Sequence, residues 1–301
     1  SVVFNNSYNP AQAAIAPHRI NKILSGDRTE GLQAGEFSFT MSIVSADPQD
    51  GVQLPADTTI RNEADGTVQF GNITFTKAGT YIIQVKEDIP DNAIDNEDGT
   101  YTLDGVTYDN HVIQTTFTVR DQRGRLIVNR ANTSGSRTFT NEYQAEGALE
   151  GATALEVTKE LTGRDWQEGD SFTFTLTGEA DRTGYELPDN ASGITIAYDE
   201  NDTDAEKSAN FGDITFTEPG IYEFTVAETE GDIGGIDYDD TQYVVTVEVS
   251  DQNDGTLKAE VTGIVKADGT DADSLSFTNT YEPGGTVQPG TGDAKAQLTK
   301  V

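Results

Sequence analysis

The sequence predicts an all-β chain that is built from two homologous β-sandwich domains. Two observations lead to this prediction: one long segment occurs twice along the 301 residues, and apolar and polar residues alternate in short runs bounded by turn signals. No window of the sequence sustains a helical period over three turns. At about 100–200 residues per domain, the length also fits two domains.

The repeat is clearest in FGNITFTKAGTYIIQVKE at 70–87 and FGDITFTEPGIYEFTVAE at 211–228, which are identical at ten positions. Three more pairs of blocks occur in the same order in both copies: KILSG and KELTG (22–26, 159–163), GVTYD and GIDYD (105–109, 235–239), and FTNEY and FTNTY (139–143, 277–281). Each copy therefore spans about 130–140 residues, an ordinary domain size.

The two ends of the chain match parts of the repeat. FNNSY at 4–8 matches the closing block, and LTK at 298–300 matches the opening of the second copy. We therefore expect a preceding repeat to end at 1–8, a first domain, a linker, a second domain, and a linker with the start of a further repeat (1–8, 9–144, 145–152, 153–282, 283–301). Asn6 and Lys300 are expected to be halves of sites in neighbouring repeats.

Strands are predicted where apolar residues alternate with polar ones. The clearest runs are FSFTMSI, IIQVKE, FTFTLTG, YEFTVAE and YVVTVEVS (37–43, 82–87, 172–178, 222–228, 243–250). Asp-Gly turns at 65–66, 98–99, 254–255 and 268–269 separate such runs. Several short strands in each unit at this spacing favour an immunoglobulin-like β-sandwich.

The composition excludes several classes of function. A formal net charge of −33 disfavours nucleic acid and anionic membranes as partners. There is no cysteine, so disulfides and thiolate metal sites are ruled out, and two histidines leave little for imidazole sites. We therefore expect no metal and no cofactor. No apolar run is long enough to span a membrane, and this piece has no visible signal peptide.

Three polar positions recur in strands that otherwise place apolar residues on one face. They are a lysine in the opening strand, a glutamate at the end of the Tyr-x-x-x-Val-x-Glu strand, and an asparagine in the closing strand (Lys22, Glu87 and Asn141; Lys159, Glu228 and Asn279). A period of two puts each asparagine on the same face as its flanking aromatic residues. If that face is the core, these groups are costly unless they bond to one another.

Such a trio permits one specific reaction. Burial favours the neutral, nucleophilic amine of lysine and the neutral acid of glutamate. The acid is expected to hydrogen-bond the asparagine amide oxygen, so that the amine attacks the carbonyl and ammonia leaves. Folding supplies the proximity, so no cofactor is needed.

The blocks KxLxG, FG-ITFT--G-Y---V-E, G--YD and FTN-Y together resemble the streptococcal-pilin type of isopeptide-linkage domain, a CnaB-type immunoglobulin-like fold of Gram-positive pilins and surface adhesins. The resemblance implies bonds from Lys22 to Asn141 and from Lys159 to Asn279, with Glu87 and Glu228 as catalysts. It also implies a stalk segment outside the cell, attached to the cell wall, whose partners are neighbouring repeats. Because each bond forms once, the chain would not be an enzyme.

The sequence separation of each lysine and asparagine predicts how the bonds would affect the stability of the domains. Lysine and asparagine are 119 residues apart in the first copy (141 − 22) and 120 in the second (279 − 159). Each bond would therefore close nearly its whole domain into one loop. By the chain-entropy argument, a cross-link over about 100 residues stabilises a domain by about 4.7 kcal/mol.

Two other functions compete with the stalk. Long loops at 45–68 and 178–209 could grip a host protein or glycan, although their sequences differ between the copies. A glycosidase with paired carboxylates is easy to propose in so acidic a chain, but no catalytic motif supports one. Trp166 is expected to pack rather than stack on a glycan, and the acidic turns 95–99, 199–206 and 251–255 to be solvated rather than to bind calcium.

Overall fold

The structure of the chain is a computed structural model, which describes residues 7–283. Most of the predicted terminal segments 1–8 and 283–301 lies outside the described residues, as do Asn6 and Lys300. The chain divides into two compact units. The first extends to Gly147 and includes Thr217–Pro219 and Ser250–Lys258, and the second holds Ala148–Phe216, Gly220–Val249 and the residues from Ala259.

The prediction of an all-β fold is confirmed, because strands account for nearly all of the regular structure. The first copy of the repeat contains fourteen strands: β1 (Ala13–Ile15), β2 (Ile20–Ser25), β3 (Ser38–Asp47), β4 (Val52–Gln53), β5 (Thr59–Arg61), β6 (Thr67–Val68), β7 (Ile73–Phe75), β8 (Gly79–Glu87), β9 (Ile94–Asp95), β10 (Tyr101–Leu103), β11 (Val106–Tyr108), β12 (Val112–Asp121), β13 (Leu126–Ser134) and β14 (Thr138–Tyr143).

Two main sheets make the sandwich of the first copy. One has the strand order β6-β2-β14-β11-β10-β9, the other β13-β12-β8-β3-β5, and a small sheet β1-β7-β4 completes the unit. The first and last long strands, β2 and β14, are parallel neighbours. Phe39 on β3 and Phe139 on β14 contact each other with ring centroids 5.2 Å apart, so the two main sheets face each other across an aromatic core.

The second copy repeats this arrangement. From Gly147 onward the elements are β15 (Gly147–Leu149), the helical turn α1 (Gly151–Ala154), β16 (Glu156–Thr162), β17 (Ser171–Gly178), β18 (Tyr185–Glu186), β19 (Ile194–Ala197), β20 (Glu206–Asn210), β21 (Ile214–Phe216), β22 (Gly220–Thr229), β23 (Ile236–Asp237), β24 (Gln242–Asp251), β25 (Leu257–Lys266) and β26 (Leu275–Tyr281).

Its sheets have the orders β20-β16-β26-β23, β19-β17-β22-β24-β25 and β15-β21-β18. Again the opening and closing strands, β16 and β26, are parallel neighbours. Phe174 on β17 meets Phe277 on β26 with ring centroids 5.0 Å apart, so the same pair of sheets encloses the core. None of the helices found between residues 7 and 283 is long and apolar enough to cross a membrane.

Two segments that were predicted as long loops contain strands instead. Residues 45–68 hold β4, β5 and β6, and residues 178–209 hold β18, β19 and most of β20. Val52 and Val68 are buried in the first segment, and Ile194 and Ile196 in the second. These strands are only two to five residues long, so a period of two is hardly visible in the sequence.

The segment 145–152, predicted as a linker, also has regular structure. It contains β15 and the start of α1, and the side chain of Leu149 is buried. β15 belongs to a sheet with β21, so this stretch is part of a packed element. Its glycines and alanines suit such close packing, because a Cβ atom on Gly151 would fall on the backbone of Phe211 and Gly212.

Candidate functional site

The first candidate site lies between the two main sheets of the first unit. Lys22 on β2 and Asn141 on β14 belong to one sheet, and Glu87 at the end of β8 belongs to the other. In the parallel pairing, Lys22 lies opposite Phe139 and Asn141 opposite Leu24. The alternation along each strand turns all three side chains into the core, where each residue is at most 4% exposed.

Glu87 joins the other two groups of this site. Its Oε2 accepts a hydrogen bond from Nζ of Lys22 at 2.8 Å, and its Oε1 accepts one from Nδ2 of Asn141, also at 2.8 Å. The side chains of Lys22 and Glu87 have no exposed surface. One carboxyl group therefore touches both the amine and the amide nitrogen at a position buried from the surface.

The second unit holds the same arrangement. Nζ of Lys159 lies 2.8 Å from Oε2 of Glu228, and Nδ2 of Asn279 lies 2.7 Å from Oε1 of the same carboxyl group. Lys159 is paired with Phe277 across β16 and β26, as Lys22 is with Phe139. The sequence-predicted trios are thus brought together in both units, at equivalent positions.

The expected hydrogen bond from the glutamate to the asparagine oxygen is wrong in this geometry. Oδ1 of Asn141 accepts the backbone N–H of Asp109 at 2.8 Å, and Oδ1 of Asn279 accepts that of Asp239 at 2.8 Å. A backbone N–H can only donate, so it fixes the oxygen end of each amide and turns Nδ2 towards the glutamate. The carboxyl group therefore faces the leaving nitrogen.

Asp109 and Asp239 are the site residues that the sequence reasoning missed. Both end the repeated G--YD block, so the repeat itself was a signal that these positions matter. Their direct contact with the asparagine is a backbone hydrogen bond, however, and the identity of a side chain does not reveal such a contact.

Aromatic rings surround both lysines. Nζ of Lys22 lies 4.4 Å from the ring centre of Phe37, and Nζ of Lys159 lies 5.0 Å from that of Phe172. A ring face attracts an ammonium group, but it replaces the hydrogen bonds of water only in part, and the low polarity strengthens every remaining electrostatic contact.

The pKa values shift in opposite directions within each pair. Burial lowers the pKa of Lys22 and Lys159, although the partner carboxyl group opposes the shift. Burial also raises the pKa of Glu87 and Glu228, against the effect of the nearby lysine. Both shifts favour a neutral amine beside a neutral acid, the protonation states that attack on an amide requires.

Trp166 and the acidic turns, which were considered for glycan or calcium binding, make contacts within the protein. Trp166 donates from Nε1 to the carbonyl oxygen of Ala205 and packs edge-on against Phe172. In the acidic turns, carboxylates accept backbone N–H groups of their own turn, as Asp95 does from Glu97 and Asp199 from Asn201. Within the described part of the chain, no three histidine, aspartate or glutamate side chains are placed to hold a metal ion.

Solved structures similar to this chain include three pilins, all at low identity. The major pilin from Streptococcus pyogenes is 17% identical over 91% of this chain and 99% of its own, with a TM-score of 0.27. The T-13 major pilin from Streptococcus pyogenes serotype GAS131465 is 15% identical over 89% and 99%, with a TM-score of 0.28. The full-length major pilin SpaD from Corynebacterium diphtheriae is 12% identical over 82% and 65%, with a TM-score of 0.22.

No protein with a curated description matches the chain. The family model FctA, described as the Spy0128-like isopeptide containing domain, matches residues 18–144 and again residues 155–282. Each match contains one complete trio of lysine, glutamate and asparagine. The chain therefore belongs to the family of Spy0128-like isopeptide containing domains, of which it holds two tandem copies.

Proposed function

We propose that each unit closes itself with an amide bond between side chains, Lys22 to Asn141 and Lys159 to Asn279. The observation that carries this proposal is the position of each glutamate. Its two oxygens contact the amine and the amide nitrogen separately, at 2.7–2.8 Å. Family membership supports the same assignment.

The reaction balances without a co-reactant. The lone pair of the lysine Nζ attacks Cγ of the asparagine, and a bond forms between them. The amine gives a proton to the carboxyl oxygen Oε2, and the acid gives a proton from Oε1 to Nδ2. The bond between Cγ and Nδ2 then breaks and ammonia leaves. The glutamate ends as it began, and the lysine and asparagine are consumed, so each site reacts once.

The strand order supports a mechanical role for these bonds. Because β2 and β14 are parallel neighbours, the chain enters one end of this strand pair and leaves at the other. Tension on the two ends would therefore shear the pair. A bond from Lys22 to Asn141 would carry that tension directly, so the residues between them would bear none of it.

The proposed function is a structural stalk segment at the surface of a Gram-positive bacterium, in a pilus-like fibre or a long adhesin. Its partners would be neighbouring repeats or other subunits of the same fibre. The family of isopeptide-containing domains supports this setting. Binding of a host ligand through 45–68 and 178–209 has less support, because short strands with buried side chains occupy much of both segments.

Pulling single molecules by their two ends tests the stalk. We expect the parent chain to resist extension beyond its folded length. The double variant Lys22→Ala/Lys159→Ala should release roughly 400 Å of chain from each unit, at up to about 3.6 Å per residue. The single variants serve as matched controls and should each release one unit. A parent chain that lengthens as much as the double variant would contradict the proposal.

A further inference from the structure

The aspartate that ends each G--YD block holds the closing strand at the reacting asparagine. Oδ2 of Asp109 accepts the backbone N–H of Thr140, the residue before Asn141, at 2.8 Å. Its Oδ1 accepts the backbone N–H of His111 at 3.1 Å. Its own backbone N–H donates to Oδ1 of Asn141. We call this set of three hydrogen bonds the aspartate clasp.

The second unit has the same clasp with other neighbours. Asp239 accepts the backbone N–H of Thr278 at 2.7 Å and that of Thr241 at 2.9 Å, and it donates to Oδ1 of Asn279. Position 111 is histidine, whose Nδ1 also lies 2.5 Å from Oδ1 of Asp109, and position 241 is threonine. The contact that both units share is therefore the one from the backbone N–H. The carboxylate and the backbone N–H are thus the shared parts of the clasp.

We propose that Asp109 and Asp239 are positioning residues, which hold a backbone N–H as the oxyanion donor of the cross-linking reaction. This inference rests on the proposed function and adds a component to its site. When the amine attacks Cγ, negative charge develops on Oδ1 of the asparagine. The N–H of the aspartate already points at that oxygen, so it stabilises the charge without reorganisation.

The clasp also decides which end of the amide faces the acid. If the amide of Asn279 were flipped, its NH₂ group would meet the N–H of Asp239, and two donors would face each other. Only the observed orientation places Nδ2 at 2.7 Å from the carboxyl group of Glu228. The clasp therefore delivers the leaving nitrogen to the group that protonates it.

The carboxylate is what keeps this N–H in place. It accepts the backbone N–H of the residue just before the asparagine, and so it ties the loop that carries the aspartate to the closing strand. Asparagine at position 239 would keep one side-chain oxygen for these contacts, whereas alanine would keep none. Rescue by asparagine therefore separates loss of the clasp from a general effect of substitution.

The test follows cross-linking at the second site of the full chain, newly made by cell-free translation. Samples are denatured at intervals, and their intact mass gives the number of ammonia molecules lost. The first site, which is unchanged in every variant, provides the reference rate within the same chain. The variants are Asp239→Ala, Asp239→Asn and, as a matched control, Asp240→Ala at the next, exposed position.

We expect Asp239→Ala to slow the second loss of ammonia by at least tenfold, and by about 10²–10³-fold if the oxyanion contact is lost entirely. Asp239→Asn should react at least tenfold faster than Asp239→Ala, and Asp240→Ala should match the parent. Thermal unfolding of Asp239→Ala in the unlinked Lys159→Ala background shows whether the second unit still folds.

Two results would overturn the inference. One is a parent-like rate in Asp239→Ala. The other is a slow rate that asparagine does not rescue and that follows the loss of folded protein in the Lys159→Ala background, because this would make the aspartate merely structural. A parent chain that loses no ammonia at all would instead refute the proposed function itself.

Discussion

Lys159 and Glu228 lie on opposite sheets of the second unit, and their side chains meet at 2.8 Å with no exposed surface on either. A buried pair of this kind is poor evidence for stability, because desolvation offsets much of the attraction. Its value here is chemical, since burial lowers the pKa of the amine and raises the pKa of the acid. The pair is thereby prepared for transfer of a proton rather than for a permanent ion pair.

The pH dependence of cross-linking follows from these directions. At low pH the lysine becomes protonated and loses its lone pair, and at high pH the glutamate loses the proton that the leaving nitrogen needs. The rate should therefore pass through a maximum, with apparent pKa values that belong to the pair. Time courses of intact mass for newly translated chain in acid, neutral and alkaline buffers measure it. A rate that rises steadily with pH would show a lysine that reacts without its acid.

Replacing the acid should stop one site and leave the other intact. Glu228→Gln keeps the shape of the side chain but cannot carry the proton, so the second site should slow by about 10²–10⁴-fold. Intact mass would then show one lost ammonia instead of two. Glu230→Gln, at an exposed position on the same segment, is the matched control and should lose two. Full cross-linking in Glu228→Gln would remove the glutamate from the mechanism.

The cross-link should also dominate the stability of its unit. Asn279→Ala opens a loop of 120 residues (279 − 159), which should cost roughly 4–5 kcal/mol of the free energy of unfolding. Denaturant titration should show the transition of the second unit shifted, while that of the first unit stays in place. An unshifted transition in Asn279→Ala would mean that no cross-link constrains the parent.

The backbone conformation and close packing at Gly163 account for the glycine of the KxLxG block. Gly163 has φ +84°, and a Cβ atom there would fall on the carbonyl oxygen of Tyr281 in the closing strand. Gly169 has φ +94° with open space around it. Both alanine variants bear backbone strain of about 1–2 kcal/mol, and only Gly163→Ala adds a clash. Thermal unfolding should thus show a clearly lower Tm for Gly163→Ala, and equal Tm values would contradict this packing.

Much of this site could be predicted from the sequence because its parts lie in long strands. The alternation in β8 and β14 places Glu87 and Asn141 on the buried face with their aromatic neighbours, and the structure agrees. The recurrence of the same three residue types then made an accident improbable. Long strands and internal repeats can be recognised in a sequence without any knowledge of tertiary contacts.

Other features could not be predicted, for definite physical reasons. The contact from Asp109 to Asn141 uses a backbone donor, which any residue but proline provides. Strands β4 to β6 are two or three residues long, so their sequence carries almost no period, and only pairing with neighbouring strands defines them. The orientation of each asparagine amide likewise depends on that backbone donor and not on the asparagine itself.

The most direct test of the central claim is the intact mass of the denatured parent chain beside Lys22→Ala and Lys159→Ala. We predict that the parent is lighter than its sequence by two molecules of ammonia, and that each variant is lighter than its own sequence by one. Peptides that join Lys22 to Asn141 and Lys159 to Asn279 should appear after proteolysis of the parent. A parent mass equal to that of the unmodified sequence would contradict the account.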